Sequence, residues 1–148
     1  RQPMSIRTAS GELVVEIVDT RIIKTYMSGV FTAGLARHFM DALESWRKLG
    51  GTNLQAFHDW YEVRDDETEA RTLLTPWSLA HRDAFEAVHI LLRSRAVTWG
   101  VQIVNTVIGG LITAHHARVS FDAAYAAAVR GAPIPPSAVT RIRRRLLG

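Results

Sequence analysis

The feature that most constrains this chain is a change of hydrophobic period at Thr32. Before it, residues 5–9, 12–18 and 21–27 are rich in β-forming side chains and are parted by Ser10-Gly11 and Asp19-Thr20. That pattern predicts three short strands joined by tight turns. After it, Leu35, Phe39, Leu43 and Trp46 recur at helical spacing, with Ala36 and Ala42 beside them. Thr32 is placed to cap that helix, because its hydroxyl can take a free first-turn amide, and Gly50 to close it. An amphipathic helix of this kind needs a sheet face to bury its stripe, so further strands are expected beyond it.

They follow in alternation with helices. Residues 53–60 read as a strand, Glu62 to Glu69 as an acidic surface loop, and 68–84 as a helix with Pro76 marking a start or break near Thr75. Residues 87–93 read as a buried strand. The segment 94–110 fits both periods: Val97, Trp99, Val101 and Ile103 alternate, while Val97, Val101, Val104 and Ile108 form a helical stripe. A helix is the reading taken, since Ser94 can cap it, Gly109-Gly110 can end it, and a parallel neighbour requires a crossover. Residues 111–115 complete the strands, and Ser120 is placed to cap an alanine-rich helix through Val129. The expected architecture is α/β: a mixed sheet with crossover helices, over residues 1–130. Pro133, Pro135 and Pro136 then open a linker into a basic tail, residues 131–148 in all, where Val139, Ile142 and Leu146 share one helical face.

Composition narrows the chemistry. The chain has 148 residues, 47% hydrophobic and 22% charged, which suits one globular core. It has no cysteine, so disulfides, thiolate metal sites and thiol nucleophiles are excluded, and a reducing, cytoplasmic setting is expected. No apolar run is long enough to span a bilayer. The net charge is +4, and residues 130–148 carry five arginines and no acid. Taking those five from the eighteen Lys and Arg leaves thirteen basic against fourteen acidic side chains, so the positive excess belongs to the tail.

In order along the chain, Phe57-His-Asp-Trp60, Thr75-Pro-Trp77, Val88-His-Ile-Leu-Leu-Arg-Ser94 and Asn105-Thr-Val-Ile-Gly-Gly110 resemble bacterial SpoIIAA-like, or STAS-like, domain proteins over about residues 10 to 129. The resemblance implies a STAS-like α/β fold, a mixed sheet of four to five strands with crossover helices packed mainly on one face, and a regulatory role in protein–protein interaction. It also implies a phosphorylatable hydroxyl at the start of the helix after a central strand. The matching region here is Arg64-Asp-Asp-Glu-Thr68, without the family's Ser-Ser/Thr-Gly pattern. Thr68 is the phosphosite candidate, and a plain N-cap is its alternative. A phosphate there would stand beside Asp65, Asp66, Glu67 and Glu69 and repel them.

No local motif argues for catalysis: the Gly-x-Ser-x-Gly, Walker and Gly-x-Gly-x-x-Gly patterns are missing. His58 and Asp59 fall on opposite strand faces, and His115-His116 has the same defect as a metal pair. His89 reads as a satisfied, half-buried histidine, and His81 and Asp83 are badly placed for each other. The expectation is a non-enzymatic module without cofactor or metal that binds protein partners or itself. A small-ligand or lipid-binding domain, with a cavity between sheet and helices, is the alternative. Trp60 and Trp77 are candidate partner anchors, and Ser94 with Arg95 a candidate anion site at a helix start. In the tail, Arg141, Arg143, Arg144 and Arg145 are candidates for contact with a partner or, less favoured, nucleic acid or an anionic membrane.

Overall fold

The computed structural model describes residues 3–131; the tail with Arg141, Arg143, Arg144 and Arg145 lies outside the described residues. β1 (Met4–Arg7), β2 (Gly11–Asp19) and β3 (Ile22–Phe31) form the antiparallel meander that the turn signals predict. There follow α1 (Ala33–Gly50), β4 (Leu54–Asp66), α2 (Thr68–His81), a single 3-10 turn (Arg82–Ala84), β5 (Phe85–Leu92), α3 (Arg95–Val107), β6 (Ile112–His115) and α4 (Arg118–Val129). The segment compatible with both periods is thus helical, and Ser94 caps it, accepting from the Val97 amide at 3.3 Å.

All six strands lie in one sheet, in chain order, with β3, β4, β5 and β6 mutually parallel. The count exceeds the four to five that the resemblance implies and equals the six segments that read as strands in the sequence, the two edge strands having only four residues each. A parallel neighbour can be reached only by a crossover, and crossovers are right-handed almost without exception. With strand order following the chain, α1, α2 and α3 must therefore all land on the same face. Their core includes Leu13, Met27, Leu35, Phe39, Trp46, Leu54 and Leu92. α4 comes after the last strand, escapes that rule, and lies on the other face, where Phe121 and Ala128 pack on Ile22, Phe57 and Leu91.

Several boundaries differ from the sequence expectation, each for a visible reason. The acidic stretch is not a loop as far as Asp66: it extends β4, pairing Glu62 with Ser28 and Asp66 with Phe31, while Val63 is buried among the core residues. Glu62, Arg64 and Asp65 are exposed, whereas the Asp66 carboxylate turns inward to Arg71. Pro76 sits inside α2 rather than at its start. Thr68 is the first residue of α2 and Glu67 its N-cap, but the Glu67 carboxylate caps α1 instead, accepting from the Ala33 amide at 2.9 Å. Ser120 does not cap α4, whose N-cap is Ala117; its hydroxyl joins His115 at 2.9 Å and donates to the Ala117 carbonyl. Gly51, with φ of 79°, closes α1 one residue later than expected, in the left-handed region that glycine enters without strain.

Phe121 is fully buried and its ring packs edge-on against Phe57 at 6.2 Å and His115 at 5.9 Å, so it is the principal anchor of α4. Phe121→Ala is expected to lower the unfolding free energy by about 3–5 kcal/mol. Urea denaturation followed by circular dichroism measures this, and a loss below about 1 kcal/mol would contradict the docking of α4.

Candidate functional site

The strand period of two sends His58 and Asp59 to opposite faces of β4, as the sequence requires. Asp59 meets Arg118 of α4 in a two-pronged pair at 2.9 and 3.3 Å. Hydrogen bonding to that carboxylate raises the Arg118 pKa. His58 points into the α1–α3 face, 4% exposed, with its Nδ1 2.7 Å from Thr25 Oγ1 on the neighbouring strand. Phe39 meets its ring edge-on at 5.0 Å. Burial alone pushes its pKa down to about 3, so the ring is neutral at neutral pH.

His58 forms part of the floor of an apolar cavity of about 60 Å³. Trp60, Val88 and Ile90 complete the floor, Phe39 and Leu43 of α1 form one wall, and Leu74 and Trp77 of α2 with Val104 and Ile108 of α3 form the roof. A second hollow of about 40 Å³ adjoins it and shares Trp60, Leu74, Ile90, Val104 and Ile112. At its far end Arg71 donates to Asp66 at 2.6 Å. Gly100 makes room for that ion pair: a Cβ there would lie 2.7 Å from the Asp66 carboxylate. For scale, an engineered apolar cavity of about 150 Å³ stays dry and takes up benzene.

The roof is unevenly fastened. α1 buries seven residues fully, whereas α2 buries only Ala70. α2 is instead held by polar clasps. The Trp77 indole donates to Glu44 at 3.2 Å, His81 approaches the same carboxylate at 3.8 Å, and Arg82 donates to the Ile108 and Gly109 carbonyls at the end of α3. Glu44 is also gripped by Arg47, and these hydrogen bonds, Arg47 first and Trp77 after it, pull its pKa down to about 2. These clasps are half-buried, and with Leu73, Leu74 and Trp77, packed on the core from half-buried positions, they hold a helix that buries only one residue outright.

The sequence candidates fall as follows. Trp60 is 3% exposed and its indole nitrogen has no partner among the described residues; Trp77 is half-buried; both line the cavity. The exposed tryptophan is Trp99, at 62%. Ile103 and Val107, one and two turns on, are exposed with it and make an apolar outer stripe on α3. Spacing by four from position 99 marks that stripe in the sequence, beside the buried stripe of Val97, Val101 and Val104. Ser94 caps α3 and donates to the Arg64 carbonyl at 3.1 Å, so its hydroxyl is committed, and Arg95 is exposed beside it. Thr68 is exposed, and its hydroxyl accepts from Arg71 at 3.3 Å.

On the opposite face His115 pairs with His89, Nε2 to Nδ1 at 2.8 Å, and not with His116. His89 stacks on Phe57 at 5.0 Å, and burial, then His115, lowers its pKa to about 4. The adjacent-residue geometry concealed this cross-strand pair. Among the described residues no group of three His, Asp or Glu side chains is arranged to hold a metal ion, and no helix is long and apolar enough to cross a membrane.

Taken together, the sequentially ordered mixed sheet and its three crossover helices over a floor of buried aromatics make an α/β domain. The chain is similar in structure to an uncharacterised DUF3478-family protein with a SpoIIAA-like fold from Shewanella loihica PV-4. The TM-score is 0.59 at 16% identity, over 80% of this chain and 97% of the other. The fold is SpoIIAA-like, as the resemblance implied. No protein-family model and no curated protein matches the chain.

The depressed values of His58 and His89 make stability depend on pH in a known direction. The unfolded rings take up protons near pH 6.5 and the folded rings only near 3 and 4. Their contribution is full above 6.5 and is lost as pH falls toward those folded values. The urea midpoint is expected to drop from pH 7 to pH 4, and His89→Phe to flatten that slope; an unchanged slope in the variant would remove His89 as a cause.

Proposed function

We propose that this chain is a non-enzymatic regulatory module that receives a small apolar ligand between its sheet and α2. The observation that carries this reading is the pair of adjoining apolar hollows under α2, the helix that buries the fewest residues outright. Bound apolar surface replaces water contact, and the lining has preformed aromatic walls to receive it. Occupancy beyond the present volume moves α2 or α3, and those two helices also carry the exposed surface that a partner would meet. A ligand can shift such an arrangement by as much as it prefers the opened form.

A second reading, protein contact through α3, is favoured by Trp99, Ile103 and Val107. An exposed tryptophan on an apolar helix stripe is the kind of anchor that interfaces bury. The two readings are compatible, since the outer stripe and the inner lining are opposite sides of one helix.

Native mass spectrometry of the purified chain is expected to show a bound apolar molecule or uptake of one from added cyclopentane. Leu74→Trp, which fills the space where the two hollows meet, is expected to abolish that uptake while leaving the circular dichroism spectrum intact. If the folded native chain neither carries nor takes up an apolar molecule, the ligand reading fails. Trp99→Lys tests the contact reading: self-association seen by sedimentation should weaken at least about tenfold, as for loss of an interface anchor.

A further inference from the structure

The polar atoms in the cavity lining determine which apolar molecule it suits. Trp77 already donates to Glu44, and Ser78 lies half-buried on α2. The deep groups are His58 and Trp60, both more than nine-tenths buried.

The hydrogen-bond network assigns the His58 tautomer. Thr25 is 1% exposed, and among the described residues its hydroxyl reaches no partner other than His58 Nδ1. A hydroxyl has one proton to give, and a neutral imidazole has one N–H and one lone pair. If Thr25 donates to Nδ1, the ring proton sits on Nε2 and one function is left unpaired. If Nδ1 carries the proton, both the threonine proton and the Nε2 lone pair are left unpaired in a buried setting. The first arrangement therefore wins. With Nδ1 turned toward β3, the edge bearing Nε2 is turned toward β5, the side on which Val88 and Ile90 line the cavity. The Trp60 ring lines both hollows, but among the described residues its indole N–H is buried without an acceptor and has no accessible surface to present to either space. The floor thus offers one donor, the Nε2–H of His58. The larger hollow has no Asp, Glu, Lys or Arg among its lining residues.

We propose that the cavity selects a neutral apolar molecule carrying a hydrogen-bond acceptor, such as a ketone or ester, and that the Nε2–H of His58 is the donor that recognises it. The proposal rests on the ligand reading above and adds the ligand's chemistry. A hydrocarbon fills the space but leaves the donor unpaired. A carboxylate accepts the bond but brings a charge that no cation in the larger hollow offsets.

The test titrates the full chain with cyclopentanone, cyclopentane and cyclopentanecarboxylate, three probes of similar shape, and repeats the first two on His58→Phe. Hydration differences between ketone and hydrocarbon cancel in the comparison of the two proteins. The ketone-to-hydrocarbon affinity ratio is expected to fall about tenfold in the variant. In the native chain, ring nitrogen NMR should show the Nε2–H tautomer, with its proton resonance moved by the ketone and not by the hydrocarbon. These spectra stand even where the variant does not fold. An Nδ1–H tautomer, an unchanged affinity ratio, or carboxylate binding at neutral pH as tight as the ketone overturns the proposal and leaves the cavity reading standing. Failure of all three probes to bind the folded native chain overturns both.

Discussion

The structure depends on one topological constraint: parallel strands laid down in chain order, joined by crossovers of a single hand. Once β3 to β6 pair side by side in sequence, each connection returns over the same face, and three helices compete for it. α1 has the long amphipathic stripe and takes the central place, burying Phe39, Leu43 and Trp46. α2 and α3 divide what remains. The hollows lie where their shorter apolar stripes fail to close against α1 and the floor, and the location of the cavity follows from the order of the strands.

The same constraint leaves the second face nearly bare, and α4 supplies its cover through Phe121, Tyr125 and Ala128. The strand period then distributes chemistry between the two faces. His58, buried under three helices, stays neutral because a charge there would lose its hydration without a counterion. Asp59, one residue on, is turned to the other face, where it pairs with Arg118. Neighbouring residues of opposite character follow from a sheet covered unequally on its two sides.

Helices that roof a cavity also form the outer surface. Val104 and Ile108 look inward from α3, while Trp99, Ile103 and Val107 look outward. A rigid helix transmits any displacement of its inner stripe to its outer one. A ligand preference and a contact preference can be coupled in this fold by displacement of one element, provided that element yields, and α2 buries only Ala70 outright.

Much of this was present in the chain as a string. The meander, the order of strands and helices, the cap at Thr32 and the opposed faces of His58 and Asp59 follow from local period and turn chemistry, which act over a few residues. The cap at Ser94 belongs with them. The continuation of β4 through the acidic stretch does not, because its pairing partners Ser28 to Phe31 lie more than thirty residues away. Nor do the His89–His115 pair, the Glu67 cap on α1, or the burial of Trp60 beside an exposed Trp99. Each is decided by which elements pack together, and a side chain's own hydrophobicity says only that it seeks burial. The sequence by itself determined the succession of elements, since the backbone propensities and periods that set it are local. The tertiary structure alone decided where the succession leaves a cavity and which donor looks into it, since those depend on contacts between segments far apart in the chain.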